Sequence, residues 1–305
     1  MSGADDPCAS VELTADDGAS VRFCAHGGHV LGWTPAGGAE RLWLSRDTGC
    51  GPGTAIRGGV PVIWPQFSER GTGPRHGVAR DRAWQVLGPD DTAHDDLAPD
   101  DLTPGDVAPD DVAPDDLPTG RPGAAVARLR LVCDAEATPF GHPFTLHLVA
   151  AAAGAELSIR VTARNDGTEP FVFTAALHTY LRVSSTAQAS VHGLQGRTAR
   201  ANDGGAAVRL PDAPLPVEGP FDVAVPGVTD GPAGALVLHD EVLGDLVLTA
   251  TGFDSRVVWN PGPGRAPADV HPGGEAEFVC LEPALLDPAT LHPGQTWTGE
   301  QLLRA

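Results

Sequence analysis

Apolar and polar residues alternate along much of the chain, as in strands that are buried on one side. Residues 128–133 and 156–163 follow this period of two closely. Further short strands are predicted at 144–152, 171–177, 246–251, 256–259 and 277–281. Turn sequences rich in Gly, Asn, Asp and Pro separate them, and no long stretch has the 3.6-residue period of a helix. The pattern predicts an all-β protein, folded as a large antiparallel β-sandwich.

The segment from Pro89 to Gly123 breaks this alternation. The unit Asp-Asp-Leu/Val-Ala/Thr-Pro recurs in it, and 11 aspartates lie between Asp90 and Asp116. Repelling carboxylates and frequent prolines oppose helix and sheet, so we expect a disordered, extended insertion between strands at 83–87 and 125–133. Calcium is the alternative use of such carboxylates, but no Gly-centred loop with a closing Glu follows. Residues 1–305 are therefore expected to form one domain that carries this insertion.

Composition excludes several classes of binding partner and of chemistry. The net charge of −20 argues against nucleic acid, and no apolar run reaches the roughly 18 residues of a membrane span. The first ten residues are acidic and lack a signal peptide's basic and apolar regions, which favours a cytoplasmic protein. All 20 basic residues are Arg, so Schiff-base chemistry and a P-loop, which need Lys, are excluded.

Five cysteines give no metal or disulfide framework that the sequence can identify. Their spacing fits no zinc motif and their number is odd, so we expect reduced, mostly buried thiols, with a reactive thiol as the alternative. The chain also has 11 His, but the close His-x-His spacing with a following Glu that a cupin-type metal site needs is absent. No metal and no cofactor are expected.

Two ionisable residues stand inside runs that otherwise read as buried strands. His178 lies in Ala-Leu-His-Thr-Tyr-Leu, and Glu282 lies in Phe-Val-Cys-Leu-Glu-Pro-Ala. A buried charge is costly unless it has a partner. The two side chains could form a general acid–base pair, or each could be satisfied by backbone groups.

A third segment, 56–67, and the following His76-Gly77-Val78-Ala79-Arg80 favour the functional interpretation. With the two runs above and Val258-Trp259-Asn260-Pro261-Gly262, these segments resemble the hexose-6-phosphate mutarotases (glucose-6-phosphate 1-epimerases) of the galactose mutarotase-like superfamily. The resemblance extends from about residue 32 to residue 303. It implies the mutarotase-like supersandwich fold and an enzyme that interconverts sugar anomers without a cofactor. We expect this enzyme to be a monomer.

The resemblance also assigns roles to the acid–base pair and to a second histidine. It implies that Glu282 removes the proton of the C1 hydroxyl and that His178 protonates the ring oxygen. His76, on a Gly- and Pro-rich approach, is expected to bind the sugar, and Gln66 to be a neutral sugar contact, whereas Trp64 is expected in the core.

An anionic 6-phosphate would have to be held by Arg in this chain. Arg57 and Arg80 lie in the two matching motifs, with Arg75 as an extra candidate, and bidentate guanidinium contacts suit a phosphate. Gly58 and Gly59 are expected to allow close backbone approach. The alternative for any one arginine is a surface salt bridge.

The chain departs from the family pattern after the His178 strand. Ala199 and Ala201 occupy positions where the family has Tyr and Asp, and Asp203 could replace the missing Asp. Two other functions therefore remain open beside the hexose-6-phosphate mutarotase: a mutarotase for free aldoses, and a non-catalytic carbohydrate-binding sandwich.

The insertion generates a first testable prediction. Replacing residues 89–123 by a short Gly/Ser turn should leave the melting temperature and the anomer-exchange activity almost unchanged, because surface loops cost only about 0.6 kcal/mol per doubling of length. Thermal melts and polarimetry on both chains would test this. A large loss of either property would mean that the insertion packs on the folded body or covers the site.

Overall fold

The computed structural model describes residues 8–88, 121–137, 139–202, 205–228 and 230–305. Within these ranges the chain forms β-strands and short 3-10 turns, without an α-helix. The 3-10 turns are Ala79–Asp81, Ala135–Ala137, Thr186–Gln188, Gly231–Gly234 and Gly274–Ala276. No helix in the described part of the chain has the length and hydropathy that crossing a membrane requires.

Three antiparallel sheets organise the strands. The smallest joins β1 (Ser10–Thr14), β2 (Ser20–Cys24) and β3 (His29–Thr34) in that order.

The eight-stranded sheet contains β4 (Val62–Ile63), β9 (Phe171–Leu177), β10 (Tyr180–Arg182), β12 (Thr198–Ala201), β13 (Ala207–Arg209), β15 (Phe221–Pro226), β18 (Ser255–Asn260) and β19 (Phe278–Leu291). Its order is β13-β12-β15-β18-β19-β9-β4, and β10 also pairs with β19.

The nine-stranded sheet contains β5 (Gln85–Leu87), β6 (Ala125–Cys133), β7 (Phe144–Ala153), β8 (Glu156–Asn165), β11 (Ala189–His192), β14 (Leu215–Pro216), β16 (Leu236–Asp240), β17 (Leu246–Thr251) and β20 (Thr296–Arg304). Its order is β14-β11-β16-β17-β20-β8-β7-β6-β5. The predicted all-β antiparallel class is confirmed. The predicted strands overlap observed ones, but β19 continues ten residues beyond the predicted end at 281.

The main core forms where side chains of the two large sheets meet. Trp64 follows β4 and is fully buried. Its ring centroid lies 4.5 Å from that of Phe173 on β9, 5.9 Å from Phe144 on β7 and 6.0 Å from Trp297 on β20. The expectation that Trp64 belongs to the core is confirmed, and truncating such a side chain typically costs about 3–5 kcal/mol.

The insertion joins two neighbouring strands, as predicted. β5 pairs with β6 through Gln85–Arg130, Val86–Leu129 and Leu87–Arg128. The strand β6 alternates buried and partly exposed residues along most of its length, which is the period seen in the sequence. Residues 89–120 of the insertion lie outside the described residues.

The expectation of five reduced cysteines is wrong for two of them. Cys8 and Cys50 form a disulfide, while Cys24, Cys133 and Cys280 are buried and not disulfide-bonded. The two bonded residues are 42 positions apart in the chain, and their approach depends on how the start of the first sheet lies against a later loop. Sequence spacing alone could not reveal this pairing.

Candidate active site

A cavity of about 300 Å³ opens on one face of the eight-stranded sheet. Adjacent strands of the sheet supply part of its lining. Val257 on β18 pairs with Glu282 on β19, and Asp222 on β15 pairs with Trp259 on β18. His178 directly follows β9, and its backbone N–H donates to the carbonyl of Pro61, 3.0 Å away. The volume is at the lower end of the range for small-molecule sites, roughly 300–1,000 Å³.

His178 and Glu282 meet in this cavity. His178 Nδ1 lies 3.4 Å from Glu282 Oε1, and the side chains are 11% and 1% exposed. The two atoms are within ion-pair distance but are not aligned as a hydrogen bond. Among the described residues, neither His178 Nδ1 nor Glu282 Oε2 has a hydrogen-bond partner. Buried polar atoms of this kind are costly to leave unpaired, so the pair is suited to bind a polar ligand.

Burial shifts both groups away from their charged forms. Burial raises the pKa of Glu282 well above its usual range, and the charge of Asp222 raises it further. Burial lowers the pKa of His178 well below its usual value, and His76, Arg57 and Arg80 add to this shift. Burial therefore favours neutral Glu282 and neutral His178 over the doubly charged form of the pair.

His76 also lines the cavity, as predicted from its motif. Its backbone is left-handed, with φ of 64°, an uncommon conformation for a residue other than Gly. The backbone N–H of Ser68 donates to His76 Nδ1 at 3.2 Å, so the ring proton must be on Nε2 when the imidazole is neutral. Burial, followed by Arg80, Arg75 and Arg57, lowers the pKa of His76 to about 3. His76 is therefore a neutral hydrogen-bond donor.

Three arginines bring positive charge to the cavity: Arg57, Arg75 and Arg80. Arg57 Nε lies 3.1 Å from both carboxylate oxygens of Asp269, and its Nη1 donates to the hydroxyl of Tyr180 at 2.8 Å.

Arg75 and Arg80 have no such partner: no described carboxylate lies within ion-pair distance of either. Burial lowers the pKa of Arg80, and the like charges of Arg57 and Arg75 contribute. An anion bound here would relieve that repulsion.

Gly58 and Gly59 do not form an open approach to the cavity. A Cβ at Gly58 would collide with the backbone of Trp43 and Leu44, and one at Gly59 with the carbonyl of Val30. Both residues have positive φ, at 115° and 60°. These glycines allow close backbone approach, as expected, but the backbone that approaches them belongs to Trp43, Leu44 and Val30 of this chain.

Gln66 takes a different place from the predicted sugar contact. It is buried, and its amide nitrogen donates to the carbonyls of Ser68 and Gly73, while its amide oxygen accepts from the N–H of Gly73. With these groups engaged, Gln66 closes the loop that precedes Arg75 and His76. Its contribution to the site is to shape that loop.

Two residues that the sequence did not identify as site residues, Asp222 and Trp259, also line the cavity. Asp222 is exposed at the start of β15 and its Oδ1 accepts from Asn202 Nδ2 at 2.5 Å. Trp259 is half-buried and presents an aromatic surface. In the sequence, Asp222 is one acid among 40 Asp and Glu, and only the register of β15 against β18 places it here. Asp203, the predicted replacement for the acid missing at Ala201, lies outside the described residues.

The site also contains three metal-ligand atoms close together. The ligand atoms of His178, Cys280 and Glu282 all lie within 4.8 Å of one another. A metal ion held there would occupy both members of the His–Glu pair. Metal binding and acid–base chemistry are therefore mutually exclusive uses of these residues.

Comparison with known proteins shows that this chain is similar to sugar epimerases. A sequence model of the aldose 1-epimerase family matches residues 9–106 and 121–304. A protein from Cenchrus ciliaris, provisionally named glucose-6-phosphate 1-epimerase, is 30% identical over 298 residues, which cover 92% of this chain and 79% of that protein. A protein of the same provisional name from Escherichia coli is 32% identical over 273 residues, covering 86% of this chain and 78% of its own length. The crystal structure of a provisionally named mutarotase from Salmonella typhimurium gives a TM-score of 0.71 at 25% identity, covering 94% of this chain and 86% of that one.

Proposed function

The chain belongs to the aldose 1-epimerase family, and from this premise we propose that it interconverts the α and β anomers of a hexose 6-phosphate, with glucose 6-phosphate as the preferred substrate. One observation carries the proposal. A buried His–Glu pair shares its cavity with three arginines, two of which have no described carboxylate partner. The provisional names of the two curated relatives support the same substrate.

The proposed reaction begins with Glu282 as general base and His178 as general acid. Glu282 takes the proton of the C1 hydroxyl while His178 donates a proton to the ring oxygen, and the C1–ring oxygen bond breaks. The C1–C2 bond of the open aldehyde then rotates. Ring closure on the other face returns both protons along the same routes. No atom or electron is gained or lost overall.

This cycle requires only that one proton move between His178 and Glu282 by way of the sugar. With the sugar ring closed, the working form is Glu282 carboxylate and His178 imidazolium. With the ring open, it is neutral Glu282 and neutral His178, the distribution that burial favours. A C1 hydroxyl that donates to Glu282 would favour the carboxylate. The two forms differ only in which residue holds the proton, so the same pair can serve both directions.

The remaining lining supplies binding groups for a phosphorylated sugar. Arg57, Arg75 and Arg80 would hold the 6-phosphate, since guanidinium groups form strong charge-assisted hydrogen bonds to phosphate oxygens. His76 would donate from Nε2 to a sugar oxygen, and Asp222 would accept from hydroxyls at the other side of the cavity. Cations on one side and a carboxylate on the other would orient the substrate.

Glu282→Gln keeps the shape of the side chain and removes its basicity. We expect anomer exchange to fall by roughly 10²-fold or more with the fold intact, and His178→Asn to show a comparable loss. Polarimetry on glucose 6-phosphate would measure both. The matched control is Glu300→Gln, because Glu300 is a largely buried carboxylate that pairs with Arg160 on the other large sheet. A near-normal rate for Glu282→Gln would refute its role as the base.

The raised pKa of Glu282 predicts a pH-dependent stability difference. A carboxyl with a higher pKa in the folded than in the unfolded state contributes stability below its ordinary value of 4.5, and loses it as pH rises through the folded value. Gln does not ionise. The melting temperature of Glu282→Gln relative to the wild type should therefore increase from about pH 4.5 towards pH 8. A difference that stays constant or shrinks over this range would contradict the shift.

The arginines test the substrate class. Arg57→Ala and Arg80→Ala should each lower kcat/KM for glucose 6-phosphate by roughly 10–100-fold, because each lost charge-assisted contact is worth about 1.5–3 kcal/mol. Glucose has no phosphate, so its kcat/KM should change little. Both substrates would be measured side by side, with Arg130→Ala on β6 as the control. Equal losses on both sugars would favour a free-aldose mutarotase, and absence of any turnover by the wild type would favour a non-catalytic carbohydrate-binding protein.

A further inference from the structure

Tyr180 contacts both Arg57 and His178, although it does not itself line the cavity. It is 1% exposed and is the single tyrosine of the chain. Its hydroxyl accepts the hydrogen bond from Arg57 Nη1 at 2.8 Å, and its ring stacks on that of His178 with centroids 4.9 Å apart and planes 12° from parallel. One rigid side chain thus joins a cation of the cavity to the imidazole proposed as the acid.

Ring packing sets the orientation of His178. A catalytic histidine is often oriented by a hydrogen bond to its second nitrogen, but His178 Nδ1 has no hydrogen-bond partner among the described residues. Instead, His76 and Trp259 meet the imidazole edge-on, with centroid distances of 5.7 and 5.9 Å. Tyr180 makes the parallel contact, so it limits how far the imidazole can tilt.

The hydroxyl of Tyr180 helps to hold the guanidinium group of Arg57. Asp269 binds Arg57 at Nε, and Tyr180 binds it at Nη1, so the guanidinium is held on two sides. Within the described part of the chain, its remaining N–H groups have no hydrogen-bond partner and can bind a ligand. Burial raises the pKa of Tyr180, which keeps the hydroxyl neutral and able to accept from Arg57.

Two backbone hydrogen bonds anchor Tyr180 beside the segment that follows Arg57. The N–H of Tyr180 donates to the carbonyl of Gly59 at 2.9 Å, and the carbonyl of Tyr180 accepts from the N–H of Trp43 at the same distance. The ring of Trp43 also stacks with that of Tyr180, at 5.9 Å. Tyr180 is therefore held by its backbone and its ring at the position where its hydroxyl meets Arg57.

We infer that Tyr180 is a positioning residue that couples the phosphate held by Arg57 to the orientation of His178. This inference rests on the proposed function for the identity of the anion. The coupling has two separable parts. The hydroxyl contacts Arg57 and so responds to whether Arg57 holds a phosphate. The ring holds the imidazole of His178.

Two substitutions separate the parts. Tyr180→Phe removes the hydroxyl and keeps the ring, so kcat/KM should fall about 10-fold for glucose 6-phosphate and much less for glucose. Tyr180→Leu removes both, so kcat should fall at least 10-fold for both sugars, and Phe should restore most of kcat relative to Leu. Asp269→Asn weakens the hold on Arg57 from the other side and should reproduce the Phe pattern. Equal losses on both sugars for Tyr180→Phe would overturn the coupling.

A measurement without turnover covers the case in which Tyr180→Leu does not fold. With tyrosine labelled with ¹³C at Cζ, the chain gives one ring signal, because it has one Tyr. Inorganic phosphate should shift this signal in the wild type and not in Arg57→Ala. A wild-type signal that does not shift when phosphate is added would overturn the proposed link between Tyr180 and Arg57. If the wild type shows no preference for the phosphorylated sugar, the proposed substrate fails, while the comparison of Phe with Leu on glucose still tests whether the ring positions His178.

Discussion

The cavity depends on two ionisable side chains that the fold buries without satisfying them. Glu282 is fixed in β19, inside the eight-stranded sheet, and His178 follows β9 next to it. Leaving one buried polar atom unpaired costs about 1–3 kcal/mol, so this arrangement lowers stability in exchange for reactivity. In the proposed function, the substrate provides the missing hydrogen bonds, and chemistry and binding then use the same atoms.

The sheet makes such an arrangement possible because it fixes the relative positions of residues from distant parts of the chain. Asp222, Trp259, Cys280 and Tyr180 form one cross-strand row over β15, β18, β19 and β10. Glu282 lies two residues further along the same face as Cys280, since side chains in a strand alternate between faces. The positive side of the cavity comes from outside this sheet face, on the segments around β4 and the turn at Ala79–Asp81. The cavity lining therefore contains charges of both signs, contributed by different segments of the chain.

The sequence predicted the parts of the structure that depend on local pattern. Alternating strands, the core position of Trp64 and the unusual setting of His178 and Glu282 all follow from which residue types neighbour each other. The parts that depend on tertiary approach could not be predicted. Gln66 binds a loop seven residues ahead, Gly58 and Gly59 are dictated by the backbone of other segments, and Cys8 reaches Cys50 only in the folded chain. Asp222 and Trp259 could not be identified as site residues from the sequence, because each has the setting of an ordinary strand residue. Only the order of the strands shows that they line the cavity.

In the proposed function, the site combines acid–base chemistry with recognition of a phosphate. Its most direct test is exchange NMR of the wild-type protein with the α and β anomers of glucose 6-phosphate and of glucose, each well below saturation and at the same enzyme concentration. After subtraction of the spontaneous rates, the catalysed exchange per enzyme should be at least roughly 10-fold faster for glucose 6-phosphate, as one charge-assisted phosphate contact implies. Equal acceleration of both sugars, or faster exchange of glucose, would contradict the account.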